Sequence, residues 1–132
     1  MIKFIKYHLP LILFLVFIFV MSSLPGESIS DISFEVSDKI LHAGAYFVLY
    51  FLFHHSLSNQ EKFQFIKENA FLFAFLFTVL YAASDEFHQM YNPTRNADVY
   101  DLVADAVGGL IAYIAAKLLI FFKDRKTDNV SA

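Results

Sequence analysis

The chain has 132 residues, of which 58% are hydrophobic and only 17% are charged, and its formal net charge is −3. A domain of this size has too little interior to hide so much apolar surface from water, which argues against a soluble enzyme, a disordered chain and a nucleic-acid-binding protein. Cysteine is absent, so disulfides, a thiol nucleophile and thiolate metal ligands are excluded. The remaining class is an integral membrane protein with a single domain, residues 1–132.

Four hydrophobic runs are long enough for helices that cross a bilayer, each of which requires about 20 mostly apolar residues. None of the runs alternates with a period of two, as a half-buried strand would. The sequence therefore predicts an all-α polytopic protein with four transmembrane helices. In chain order the runs are Tyr7–Leu24, Ile40–Leu57, Ala70–Ala83 with a polar continuation toward Tyr91, and Leu102–Phe122.

The first run also resembles a secretory signal, because Lys3 and Lys6 precede its apolar stretch and Ser22-Ser23 follow it. The second run begins soon afterwards, which favours a retained helical hairpin over a removed leader. The pattern alone leaves cleavage open.

Basic residues indicate the orientation, since lysine and arginine in short loops favour the cytoplasmic side. Eight of the ten basic residues fall on one side of the four runs, and only Lys39 and Arg95 fall on the other. Both termini and the central loop are therefore predicted to be cytoplasmic. Nine of the thirteen acidic residues lie on the outer side, and the orientation rule does not explain that bias.

Polar residues occupy the outer ends of three predicted helices, and within each helix several recur at spacings of three or four that share a face. They are Asp38, Lys39, His42 and Tyr46 on the second helix, Asp85, Glu86, His88 and Gln89 on the third, and Asp98, Asp101 and Asp105 on the fourth. Ionisable groups at membrane depth usually face protein or a water-filled cavity. The sequence therefore predicts one polar pocket at the outer side.

Asp105 is the member of this set that helix capping explains least, because it lies inside the fourth run, ahead of Gly108-Gly109. An unpaired carboxylate there needs a proton, a cation or a donor. Arg95, in the preceding loop, is expected to reach Asp101 or Asp105, since a guanidinium matches a carboxylate bidentately. That pair could be a purely structural lock or part of a functional pocket in which His42 and Glu86 face substrate. The two glycines favour close helix packing over phosphate binding.

The residue types permit several kinds of chemistry without naming a reaction. A histidine and a carboxylate can act as general acid and base, and the same groups can bind a divalent cation, although no spacing here matches a known ligand motif. No other cofactor is expected, and metal ligands stay undefined. The catalytic candidates are His42, Asp85, Glu86, Gln89, Asp101 and Asp105. The substrate-binding candidates are Asp38, Lys39, Tyr46, His88 and Arg95.

Three segments resemble the motifs of the VanZ-like membrane protein family. Residues 38–47 resemble its DKxxHxxxY segment, residues 84–89 its DExxQ segment, and residues 95–109 its R-x5-D-xxx-[ND]-xxx-G segment. Their order and spacing agree across roughly residues 7–122. The position of Asp105 is often Asn in this family, which leaves open whether the site needs charge or only a hydrogen bond.

The resemblance implies a multi-pass protein of the bacterial cytoplasmic membrane, similar to the accessory protein of glycopeptide-resistance clusters linked to low-level teicoplanin resistance. Teicoplanin carries a fatty acyl chain and acts at the outer membrane surface, so an outer-surface site is implied. The expected partner is a membrane lipid or a lipid-linked cell-wall intermediate, in resistance or in envelope housekeeping, and no nucleic-acid partner is expected.

Two other functions stay open at the level of sequence. One is a membrane-embedded enzyme with a His/carboxylate or metal centre that modifies a phosphate-bearing lipid. The other is a small transporter or assembly factor whose charges gate or join helices. The sequence defines neither the substrate nor the oligomeric state.

Overall fold

A computed structural model describes residues 2–24, 38–93 and 99–130, apart from the side chains of residues 38 and 127–130. Over these residues all the regular secondary structure is helical, as the sequence predicts. The helices are α1 Ile2–Tyr7, α2 Leu9–Ser23, α3 Asp38–Asn59, α4 Gln64–Glu68, α5 Ala70–Gln89 and α6 Val99–Val130.

Three of the helices are long and apolar enough to cross a membrane. These candidate spans are Lys39–Asn59, Ala70–Gln89 and Val99–Lys126, and they correspond to the second, third and fourth predicted runs. The last helix extends beyond the predicted Leu102–Phe122 at both ends. The segment Leu9–Ser23 is a shorter apolar helix of 15 residues.

Helices α1 and α2 follow one another with little interruption of the backbone hydrogen bonds. The amide of His8 donates to Phe4 O at 2.9 Å, and the amide of Ile12 donates to His8 O at 3.1 Å. Pro10 lies in the first turn of α2, where the missing N–H has no helical partner to lose. The first predicted run is therefore helical, and it is preceded by one further helical turn and a half.

The long helices pack so that α3 and α6 run in one direction and α5 runs in the other. Tyr50 of α3 has its ring 6.3 Å from that of Tyr113 in α6, and its hydroxyl donates to Phe71 O at the start of α5 at 3.4 Å. At the other end of α5, Glu86 lies beside His42 and Asp105 near the starts of α3 and α6. The N-terminal helix α2 runs with α5, since Tyr81 donates to Leu15 O at 2.7 Å and Ser22 bonds to Asp85.

One end of the bundle gathers the N-terminus and the connection between α3 and α5. Lys3 Nζ lies 2.7 Å from Glu61 Oε1, and His8 shares a hydrogen bond of 2.8 Å with Ser56. The hydrogen bond with Glu61 raises the pKa of Lys3, and the same bond lowers the pKa of Glu61. Both groups are exposed, so this pair stabilises the fold little. It nonetheless identifies which segments share this end.

The apolar residues of the bundle lie mostly on its outside. Leu80 is 63% exposed and Leu119 is 65% exposed, whereas much of the buried contact is made by small alanines such as Ala74, Ala82 and Ala112. A soluble bundle would bury its large side chains instead. The arrangement fits a protein whose outer surface faces hydrocarbon and whose helices approach closely through small residues.

Candidate functional site at the polar end of the bundle

A cavity of about 260 Å³ opens between α2, α3 and α5 at the end of the bundle opposite Lys3 and Glu61. Half of the lining residues are apolar: Phe17, Ile18, Met21, Leu41 and Ala45. The other half are polar: Ser22, His42, Tyr46, Asp85 and Gln89. The lining therefore combines side chains suited to hydrocarbon with hydrogen-bonding groups.

Asp85, one of the polar lining residues of the cavity, is held by two hydrogen bonds. Its carboxylate accepts a short hydrogen bond from the Ser22 hydroxyl of α2 and another, at 3.2 Å, from Gln89 Nε2 one turn further along α5. All three side chains are buried. Because a buried carboxylate is costly without donors, these two bonds explain how Asp85 is tolerated inside an apolar bundle.

At the same end of the bundle, three helices bring together an imidazole and two carboxylates, which we call the acid–histidine cluster: His42, Glu86 and Asp105. Each contributes one potential ligand atom, and these atoms lie within 4.8 Å of one another. His42 Nδ1 lies 3.1 Å from Asp105 Oδ1, within hydrogen-bond distance. Asp105 is fully buried and Glu86 is 8% exposed. His42 also lines the cavity, so cavity and cluster share this side chain.

Gly108 explains how Asp105 comes close to His42. A Cβ atom added at Gly108 would overlap the backbone of Ala43 and lie 2.8 Å from its Cα. The backbones of α3 and α6 therefore touch at this level, one turn from Asp105. The structure favours the packing interpretation of the glycine pair.

Two buried polar atoms beside the cavity and cluster have no hydrogen-bond partner among the described residues: the Tyr46 hydroxyl oxygen and Asp105 Oδ2. Tyr46 is 1% exposed and Asp105 is 0% exposed, so neither group reaches bulk water. Buried polar atoms in native proteins are nearly always satisfied. These two atoms therefore indicate where a water, an ion or a ligand group would bind.

Asp101, a turn before Asp105, pairs with Lys39. The Lys39 ammonium lies 3.2 Å from Asp101 Oδ1 and 6.0 Å from the centre of the Tyr100 ring. The lysine side chain is half exposed, whereas that of Asp101 is mostly buried. Lys39 therefore supplies a cation to Asp101, the role that the sequence suggests for Arg95.

Arg95 and Asp98 lie outside the described residues, as does the side chain of Asp38. The expected bond from Arg95 to Asp101 or Asp105 thus stays a prediction. His88 is described, but it contacts α2 instead of the acid–histidine cluster: its Nε2 lies 3.1 Å from Ser23 Oγ, and its ring lies 4.7 Å from that of Phe19.

Sequence reasoning misses the contribution of α2. The sequence suggests Ser22 only as part of a cleavage signal, yet Ser22 binds Asp85 and lines the cavity. A signal is available, since Ser22-Ser23 end an apolar run at the same outer depth as the acids. The apolar wall formed by α2 has no comparable signal, because its residues are indistinguishable from others that face lipid.

The VanZ/LLP1 family model matches residues 7–121 of the chain, a span that includes the cavity and the acid–histidine cluster. Neither a curated protein nor a solved structure matches it. The match covers most of the chain and includes all three polar segments. The chain therefore belongs to the VanZ/LLP1 family.

Proposed function

We propose that this protein binds a lipid or a lipid-linked cell-envelope component at the outer face of the bacterial cytoplasmic membrane. The observation that carries the proposal is the mixed lining of the cavity, in which apolar side chains such as Phe17, Ile18 and Leu41 accompany His42 and Asp85. An amphiphile entering from the membrane would place hydrocarbon against the apolar residues and headgroup atoms against the polar ones.

The size of the cavity restricts what it holds. Pockets for drug-sized ligands typically measure about 300–1,000 Å³, and this cavity measures about 260 Å³. It therefore suits the junction between headgroup and chain, with the remainder of the molecule in the bilayer. Its described lining contains Asp85 and neither lysine nor arginine. Because the Asp85 carboxylate repels an anionic group, we expect the cavity to prefer hydroxyl-bearing or amine-bearing headgroups over anionic ones.

The membrane arrangement that we propose has four spans, with both termini and the α3–α5 connection in the cytoplasm. The residues after Lys3, 4–23, form a nearly continuous helical segment, about 30 Å long at about 1.5 Å per residue, which matches a hydrocarbon core of about 30 Å. The contact between Lys3 and Glu61 joins the two segments assigned to the cytoplasm. The polar cavity then opens at the outer leaflet.

Native mass spectrometry of the purified protein with retained lipids tests the binding proposal. We expect amine-bearing or glycosylated lipids to be retained over phosphatidylglycerol. Leu41→Trp, which places a larger side chain in the cavity lining, should reduce retention severalfold. Leu80→Trp is the matched control, because Leu80 lies on an exposed apolar surface outside the cavity lining. Equal retention by the two variants would contradict the proposal.

The same variants test a role in glycopeptide resistance. If the cavity sequesters or alters an acylated ligand or its target, loss of the gene should lower the inhibitory concentration of teicoplanin. Leu80→Trp should restore it and Leu41→Trp should not. If both variants restored the inhibitory concentration of teicoplanin equally, the resistance would not depend on lipid binding in the cavity.

A membrane-embedded enzyme that modifies a phosphate-bearing lipid is the second candidate, and the hydrogen bond between His42 and Asp105 favours it. A carboxylate that orients an imidazole is the usual arrangement for a general base. Lys39, beside Asp101 and half exposed, is a cation available near a phosphate. In the mass spectra this candidate predicts a bound lipid whose mass has been changed by the reaction. His42→Gln should still retain lipid, but the lipid of changed mass should be absent.

A further inference from the structure

We infer that the acid–histidine cluster binds one divalent transition-metal ion, with His42, Glu86 and Asp105 as its ligands. The inference goes beyond lipid binding and stands independently of it. It begins from geometry: α3, α5 and α6 each contribute one residue, and the three potential ligand atoms lie within 4.8 Å of one another. Side chains so far apart in sequence converge here only because of the packing of the bundle.

A second observation points to a missing positive charge or donor at this position. Asp105 is fully buried, and its Oδ2 atom has no hydrogen-bond partner among the described residues. Its other oxygen lies 3.1 Å from His42 Nδ1. An ionised carboxylate at membrane depth requires a cation, a proton or donors, and an ion bound beside Asp105 would satisfy its Oδ2 atom.

The ligand types select the class of ion. One imidazole with two carboxylates suits Zn²⁺, Mn²⁺ or Fe²⁺, whereas Mg²⁺ and Ca²⁺ favour ligand sets made entirely of oxygen. Three protein ligands leave at least one coordination position for a water or a ligand oxygen, as in sites that act on a substrate. His42 lines the cavity, so this position would be accessible to a headgroup bound there.

Metal binding is measured on protein without an affinity tag, stripped of lipid and of metal by a chelator, and titrated with ZnCl₂ and separately with MnCl₂. We expect one ion per chain. His42→Gln, Glu86→Gln and Asp105→Asn should each weaken binding at least tenfold, since loss even of an outer-shell partner of a metal site commonly weakens affinity by about 10–100-fold. Removing lipid first makes the outcome independent of the lipid proposal.

Three matched controls carry the same substitutions at exposed positions outside the cluster: His55→Gln, Glu68→Gln and Asp124→Asn. They should bind the metal as the unaltered chain does. The absence of stoichiometric binding would overturn the inference, and so would equal weakening in the controls and the cluster variants. In the first case the cluster would be satisfied by a shared proton.

If the cluster variants do not fold, a measurement on the unaltered protein decides the question. Its zinc K-edge X-ray absorption spectrum should be that of one imidazole nitrogen with oxygen ligands. A shell of oxygen atoms alone, or of several imidazoles, would place the ion elsewhere and overturn the assignment to His42, Glu86 and Asp105.

Discussion

Asp85 shows how a single carboxylate is accommodated in this bundle. Ser22 of α2 and Gln89 of α5 both donate hydrogen bonds to its carboxylate, and these bonds stabilise the buried charge. The bond from Ser22 also links α2 to α5. Losing it would leave a buried acceptor partly unsatisfied and weaken the attachment of α2 at once.

Ser22→Ala is therefore expected to lower the free energy of unfolding by about 1–3 kcal/mol, the usual cost of leaving a buried acceptor without its partner. Ser84→Ala is the control, since Ser84 is exposed and donates only to Tyr81 O within its own helix; its cost should stay within about 0.5 kcal/mol. Unfolding in mixed detergent micelles, followed by circular dichroism, measures both. A Ser22 variant as stable as the Ser84 variant would show that the bond contributes nothing.

Single residues also mark how far sequence reasoning reaches into the site. The spacing of Asp85 and Gln89 predicts a shared helical face, and their hydrogen bond is present. Long-range pairings such as His42 with Asp105 and Lys39 with Asp101 depend on helix rotation and depth, which no local pattern encodes. For that reason the sequence does not predict the pairing of Lys39 with Asp101, and the expected bond from Arg95 to Asp101 or Asp105 stays a prediction.

Among the elements, the contact between α3 and α6 determines the geometry of the acid–histidine cluster. Gly108 lies directly against the Ala43 backbone, and a side chain there would force the two helices apart. Because His42 and Asp105 project from the same two helices, any such separation would lengthen their contact. Gly44, which neighbours Ala43, has open space where a Cβ atom would lie, with nothing within 4 Å, and serves as an internal comparison.

Gly108→Ala and Gly44→Ala should therefore change stability in opposite directions. Overpacking at Gly108 should destabilise the protein by about 1–3 kcal/mol or more. At Gly44 an alanine meets no obstacle and improves helix propensity by about 0.5–1 kcal/mol. Micellar unfolding measures both changes. If both variants were stabilised, the result would contradict the close approach of the α3 and α6 backbones at Gly108.

The elements themselves are largely predictable, because long apolar runs leave few alternatives to helices in a membrane. Ala70–Gln89 matches the predicted third run, including its polar continuation past Ala83. Helix ends are less predictable: Val99–Val130 continues well past Phe122, since a charged tail can remain helical after it leaves hydrocarbon. The short helix Gln64–Glu68 has no hydrophobic pattern that would distinguish it from a loop.

For the whole molecule, the packing groups the segments that the charge pattern assigns to one side. If the four predicted runs all cross the membrane, eight basic residues lie on one side and nine acidic residues on the other. The structure joins Lys3 to Glu61 at one end and gathers His42, Glu86 and Asp105 at the opposite end. The acidic bias that the orientation rule leaves unexplained is thus partly a buried site instead of a set of loop charges.

Cysteine labelling tests the orientation directly, because the chain has no native cysteine to interfere. We expect Tyr91→Cys to react with a membrane-impermeant maleimide in cells whose wall has been removed and whose cytoplasmic membrane is intact. Tyr91 is 73% exposed at the polar end of the bundle. Phe65→Cys, replacing a side chain that is 69% exposed at the other end, should react only in inside-out vesicles. Lys3→Cys should behave like Phe65→Cys, because Lys3 contacts Glu61 in the same connection. If Lys3→Cys were labelled from the same side as Tyr91→Cys, the helical segment of residues 2–23 would not cross the membrane. If each of the three variants were labelled from the side opposite to the one expected, the acid–histidine cluster would face the cytoplasm. A ligand from the outer leaflet would then be excluded.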